Sequence, residues 1–207
     1  MARVFFLFED EAGRQTGRGD SFTIVLAYVL RDAAPQGWHG TEGLSFPIGV
    51  ADTEMGHTYH VKHLDGQRRG PRTTRPVLHA ALGWHADDLA WLTREHVEAD
   101  VRAALRHIRL AGYQCVWVLH TDTGRPHVHL VVNLIHPESG DVARIGLTKK
   151  RMSEFCAAYE QRLGDVRCKR RFVPKAANEN RARLSKAAML LRKANKQKAS
   201  LTPAPRP

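Results

Sequence analysis

Residues 115–133 constrain the fold of this chain more than any other stretch. Two apolar segments, Cys115–Leu119 and Val128–Val132, are joined by a short polar link containing Gly124-Arg125-Pro126. β-Branched and apolar residues bounded by turn formers predict two strands of a hairpin. Such a hairpin brings His120, at the end of the first strand, beside His127, at the start of the second. Side chains alternate across a strand, so His127 and His129 face the same way while Val128 faces the other. Three imidazoles and the carboxylate of Asp122 thus fall within ten residues. The pattern suits a divalent metal held by His120, His127 and His129, and three protein ligands with one open position are more typical of a catalytic than of a structural ion. Asp122 is the candidate for orienting a ligand by accepting its second ring N–H. The competing reading makes the histidines ordinary strand residues and Asp122 the closer of an Asx turn.

The rest of the chain fits around that hairpin. Residues 3–8 read as a first strand and 13–20 as a polar, glycine-rich connection. A helix capped by Asp20 or Ser21 is expected from Phe22 to Arg31, with Phe22, Val25, Leu26, Val29 and Leu30 on one face. Tyr28 falls off that stripe, beside Ile24 and Arg31, as either a half-buried packing residue or an accessible phenol. Residues 34–76 carry weak periodicity. There, His57, His60 and His63 read as solvated loop or DNA-facing residues, and Arg68, Arg69, Arg72 and Arg75 as phosphate contacts or a solvated loop. A strand is expected over 77–84, then a helix capped by Asp87 over 89–110 that Gly112 ends. His136 reads as a further ligand or a loop residue. A helix capped by Thr148 spans 149–163 and buries Met152, Phe155, Cys156, Tyr159 and Leu163.

Charge is distributed unevenly. The formal net charge is +11, yet from Lys149 onward seventeen Lys and Arg stand against four acidic residues, a net of +13 that leaves −2 over the first 148. An excess of this kind points to a polyanionic partner. It includes the cluster Lys169, Arg170 and Arg171, and a basic amphipathic helix expected over 178–198 before a disordered end. The expected division is a folded domain over 1–177 and a basic tail over 178–207. Three cysteines with no C-x-x-C pair indicate neither a disulfide framework nor a zinc knuckle, and fit a reducing cytoplasm. No segment has the roughly 20 apolar residues of a membrane span.

The pattern His120-x-Asp122-x4-His127-x-His129-x3-Asn133 resembles the third motif of conjugative relaxases of the P-type mobilisation group. These HUH endonucleases (histidine, hydrophobic residue, histidine) nick plasmid DNA at an origin of transfer. Asp20-Ser21-Phe22-x5-Tyr28 is similar to the family's N-terminal nucleophile segment, and Gly83 stands where members of the group usually carry a serine. The resemblance implies an α+β fold, a central antiparallel sheet flanked by helices. It further implies Tyr28 as nucleophile, a divalent cation, Mg²⁺ or Mn²⁺, on the three histidines, and single-stranded or hairpin DNA as substrate. Relaxosome accessory and type IV coupling proteins are the implied partners. Three imidazoles by themselves suit Mn²⁺ or Zn²⁺ better than oxygen-preferring Mg²⁺.

A tyrosine hydroxyl, with an ordinary pKa near 10, is a poor nucleophile at neutral pH, and a cation that draws charge from the phosphate addresses this. Attack by Tyr28 gives a 5′-phosphotyrosyl enzyme and a free 3′-hydroxyl, which can later be rejoined. Two other readings stay open. One is a noncatalytic DNA-binding relaxosome accessory or degenerate relaxase supported by the basic tail. The other is a rolling-circle replication initiator, in which the tyrosine usually follows the histidines, as Tyr159 does here.

Overall fold

The computed structural model describes residues 3–6, 17–31, 37–64, 72–122 and 124–172. The chain divides into two units, 1–167 and 168–207. In the second, the described part is a single turn of 3₁₀ helix at Lys169–Phe172. The expected helix over 178–198 and the boundary at 177/178 lie outside the described residues.

In the first unit the strands are β1 (Arg3–Phe6), β2 (Arg18–Gly19), β3 (His39–Glu42), β4 (Val77–Gly83), β5 (Cys115–His120) and β6 (His127–Asn133). They form one antiparallel sheet in the order β1-β4-β6-β5-β3, with the short β2 also paired to β4. The α-helices among the described residues are α1 (Phe22–Arg31), α2 (Ala51–Leu64), α3 (Arg94–His107) and α4 (Thr148–Leu163). The architecture is α+β, as the resemblance implies. Among the described residues no helix is long and apolar enough to cross a membrane.

Alternation along the central strands produces two cores. Leu78, Ala80 and Leu82 of β4, Cys115, Trp117 and Leu119 of β5, and Val128, Leu130 and Val132 of β6 face α3 and α4. Val77, Val116, Val118 and Val131 face the other way, against Phe22, Val25, Leu26 and Val29 of α1 and Ala51 and Met55 of α2. The same parity puts His79, His120, His127, His129 and Asn133 on the α1/α2 side. Burying a Val or Leu side chain is worth about 1.5–3 kcal/mol, so a one-residue slip in β5 or β6 would expose a whole face. Register is therefore held by the hydrophobic pattern.

The hairpin forms as expected, with His120 directly opposite His127 and Val118 opposite His129. α1 has the expected bounds, and Ser21 Oγ accepts from the Ile24 amide at 3.3 Å. Elsewhere the expectations need correction. His57, His60 and His63 lie on α2, not in a loop. That helix buries only Ala51, Met55 and Lys62 among its described residues, so the apolar period that reveals a helix is nearly absent. The long helix expected over 89–110 is shorter. Residues Ala86–Ala90 form a separate 3₁₀ turn, and Thr93, extended at φ −103°, caps α3 by accepting from the His96 amide. At the far end Arg109 takes a left-handed φ of 65°, which stops the helix three residues before Gly112. Thr148 does not cap α4 but lies in its first turn, with Leu147 in the cap position. Leu163 is 46% exposed rather than buried.

β3 closes the sheet against β5 through Gly40, paired with the buried Trp117. A Cβ on Gly40 would sit 2.5 Å from the indole ring. Gly40→Ala is therefore expected to destabilise the fold by about 1–3 kcal/mol through forced repacking, read as a lowered urea midpoint with unchanged slope.

Candidate metal centre

His120, His127 and His129 each present a ring nitrogen, all within 4.8 Å of one another. The sheet register explains the convergence. His120 and His127 are cross-strand partners with ring centroids 5.5 Å apart, and His129 follows two residues along the same face at 4.5 Å and 5.0 Å from them. Three aromatic nitrogens meet without an acidic residue among them.

Each imidazole has its other nitrogen engaged. His120 Nε2 lies 2.8 Å from the carbonyl of Val29. That carbonyl belongs to the last turn of α1, where helix carbonyls have no intrahelical partner, so ring and helix end satisfy one another. His127 Nδ1 lies 3.0 Å from the carbonyl of Arg125 in the connecting turn. A carbonyl only accepts, so both rings must be protonated at these nitrogens, and in the neutral ring the lone pair is then on His120 Nδ1 and His127 Nε2. His129 Nδ1 is 3.0 Å from Nε2 of His79, a buried residue of β4. Partners of this kind orient metal-binding histidines. Two carbonyls and His79 make these contacts, and Asp122, expected to make one of them, is exposed in the turn.

Electrostatics favours the neutral form of His129 and His79. Burial, followed by the neighbouring His79, His120 and His127, lowers the pKa of His129 to about 3. His79 is lowered to about 4, by burial first and His120 second. Metal ligation requires a deprotonated imidazole, so His129 is ready to bind at neutral pH. The donor set fits a borderline divalent cation such as Mn²⁺ or Zn²⁺.

Tyr28 joins the cluster. Its ring is 48% exposed and stands edge-on to His129 at 6.0 Å and to His79 at 6.1 Å, with the Arg31 guanidinium 5.7 Å from its centre. The bond from His120 to Val29 brings this end of α1 to the histidines. Tyr159 is placed differently. It packs on the α3/α4 side with its hydroxyl 3.0 Å from His96 Nε2, and burial, then Asp100, pushes its pKa up. The sheet separates it from the imidazoles, so the reading that makes Tyr159 a nucleophile is not sustained.

Other candidates stand elsewhere. Arg72 and Arg75 are exposed just before β4, whose first residue pairs with Asn133. At about 3.3 Å per residue that end of the sheet is roughly 20 Å from His127. Arg68 and Arg69 lie outside the described residues, as do the side chains of Arg170 and Arg171; Lys169 is exposed in the second unit. His136 accepts from the Glu138 and Ser139 amides in a turn beyond β6 and is not one of the three converging imidazoles. Gly83 is the partner of His127 in the ladder.

Asn133, which closes the motif, is fully buried. It donates to the Met55 carbonyl and to Gln114 Oε1, and accepts from the Ile135 amide. These bonds tie β6 to α2, far from the imidazoles. Asn133→Ala leaves several buried groups unpaired, for an expected loss of about 3 kcal/mol. Urea unfolding measures the loss, and Mn²⁺ affinity of the folded protein should stay as in the unsubstituted chain.

His79 is the site residue that sequence reasoning passed over. Its available signal was parity: in Val77–Gly83 it is two positions from Val77 and from Ala81, all on one face of the strand. Nothing in the sequence says that this face meets His129.

The model of the nuclease domain of MobA/VirD2-like relaxases matches residues 50–164, over half of the chain. Protein MobA of Acidithiobacillus ferrooxidans is 30% identical over 74 residues, which are 36% of this chain. The matched segment spans 18% of that protein's length.

Proposed function

The chain belongs to the MobA/VirD2-like relaxase family, and from that premise we propose that it nicks and rejoins one DNA strand at an origin of transfer, with Tyr28 as nucleophile. The observation that carries this reading is the placement of the Tyr28 ring 6.0 Å from His129. It is independent of the family match, which begins at residue 50. Of the four tyrosines, Tyr28 alone has ring contacts to the imidazole cluster among the described residues.

In the proposed reaction the Tyr28 oxygen bonds to phosphorus as the bond to the 3′ oxygen breaks. The product is a 5′-phosphotyrosyl protein and a 3′-hydroxyl; the proton lost by the phenol is balanced by the one the 3′ oxygen gains. A divalent cation on His120, His127 and His129 would withdraw charge from the nonbridging oxygens of the phosphate. The chain's own contribution is positional: α1 delivers the phenol, and the paired strands set the three nitrogens on one face. Arg31, beside the Tyr28 ring, and the exposed Arg125 of the hairpin turn suit flanking phosphates, which give affinity without reading sequence. The reverse attack rejoins the strand, because the phosphotyrosine preserves the phosphodiester's bond energy.

Single-stranded oligonucleotides tiled across the DNA flanking the coding sequence test this proposal. With Mn²⁺ one of them should be cut and should leave a denaturant-stable adduct, and a chelator should abolish both. Tight binding with no cation-dependent cut would favour the noncatalytic DNA-binding reading.

A further inference from the structure

His79 is 4% exposed on β4 and takes no part in the steps above. The three imidazoles of the cluster differ in what holds them. His120 ends its strand and reaches a spare helix carbonyl, and His127 begins its strand and reaches a turn carbonyl. His129 lies inside β6, whose backbone is paired to β4 on one side and β5 on the other. There the backbone carbonyls are committed to the ladder, so a side chain must supply its ring partner.

His79 meets that need diagonally across the strands. Ala81 is directly opposite His129, and His79 is two residues back on the same face. Its Nε2 lies 3.0 Å from His129 Nδ1, and the two ring centroids are 5.1 Å apart. Between two neutral imidazoles one nitrogen must donate and the other accept. Unlike a carbonyl, His79 can do either, so the direction of this bond decides which nitrogen of His129 is bare.

We propose that His79 is a positioning residue that accepts at Nε2 and so holds His129 as its Nδ1–H tautomer, with the Nε2 lone pair turned to the cluster. The opposite direction would put a proton on His129 Nε2, where the two neighbouring rings converge. The inference rests on the metal-binding part of the proposed function and not on DNA cleavage.

Long-range ¹H–¹⁵N spectra of the cation-free protein read the tautomer directly; His129 should show a protonated Nδ1 and a bare Nε2. His79→Leu removes the acceptor, whereas His79→Gln keeps an amide oxygen that can accept. With the cation-free protein titrated by Mn²⁺, His79→Leu should weaken affinity by about 10- to 100-fold, the range for a lost outer partner of a ligand. Its His129 should become a mixture of tautomers, and His79→Gln should recover most of the affinity. A protonated His129 Nε2 in the unsubstituted protein would overturn the proposal. So would His79→Leu protein that binds Mn²⁺ as well as the parent, or His79→Gln as weak as His79→Leu. Should His79→Leu not fold, the unsubstituted spectrum and His79→Gln decide. DNA is absent throughout, so a protein that binds Mn²⁺ as expected but cuts nothing counts against the nuclease reading alone.

Discussion

Tyr28→Phe protein is expected to bind the cleavable strand with nearly parental affinity and to form no covalent adduct with it. The substitution removes one oxygen and keeps the ring that stands against His79, His129 and Arg31. At a half-exposed position the expected stability change is within about 0.5 kcal/mol. Loss of a nucleophile leaves only binding and transition-state charge stabilisation, so the rate should fall by about 10⁴-fold or more. Denaturing gels of protein with end-labelled oligonucleotide read the adduct, and filter binding reads affinity. An adduct that survives in the variant would remove Tyr28 from the reaction. Tyr59 and Tyr113 would then be the tyrosines to test next, since Tyr159 is sealed on the other side of the sheet.

His129→Ala should abolish both cation binding and cleavage, the second large effect. The substitution removes one of three nitrogens and also the hydrogen bond between His129 and the buried His79. Mn²⁺ affinity should fall by more than the 10- to 100-fold typical of losing an outer partner, hence at least about 100-fold. Cleavage should drop below detection at any practical cation concentration. The fold should lose about 1–3 kcal/mol as well, because a buried ring and its hydrogen bond are removed. His127→Ala provides the comparison. His127 is only partly buried and its ring partner is a turn carbonyl, so the same loss of Mn²⁺ binding should come with a smaller change in urea midpoint. Equal Mn²⁺ affinity in parent and both variants would show that the three rings do not hold the cation.

Several elements are readable in the sequence itself. The β5–β6 hairpin is, because period-two alternation, a Gly-Arg-Pro turn and paired histidines agree with one another. α1 is too, since its apolar residues repeat at helical spacing behind Ser21. α2 was not legible: a helix that covers little of the sheet needs few apolar residues, and its histidines then resemble a loop. The split between the 3₁₀ turn at Ala86–Ala90 and α3 escaped for a different reason. Leu89 and Leu92 continue the helical period, and only the extended backbone of Thr93 shows that the helix begins anew.

The candidate site divides along the same line. Which three histidines converge was determined by sequence alone, because residues 120 to 129 are neighbours in a hairpin and strand parity does not depend on the rest of the molecule. What His120 and His129 bond to was decided by tertiary structure, whereas His127 meets the carbonyl of Arg125, its neighbour in the turn. The Val29 carbonyl is 91 residues from His120 and the His79 ring is 50 residues from His129, and no local period links either pair. Asp122, the nearest carboxylate in sequence, is exposed, while a distant imidazole and a helix end make the ring contacts of His129 and His120. A ring N–H inside a sheet can bond only to what packs against it, and packing partners are chosen by the register of β4 and the docking of α1, not by proximity along the chain.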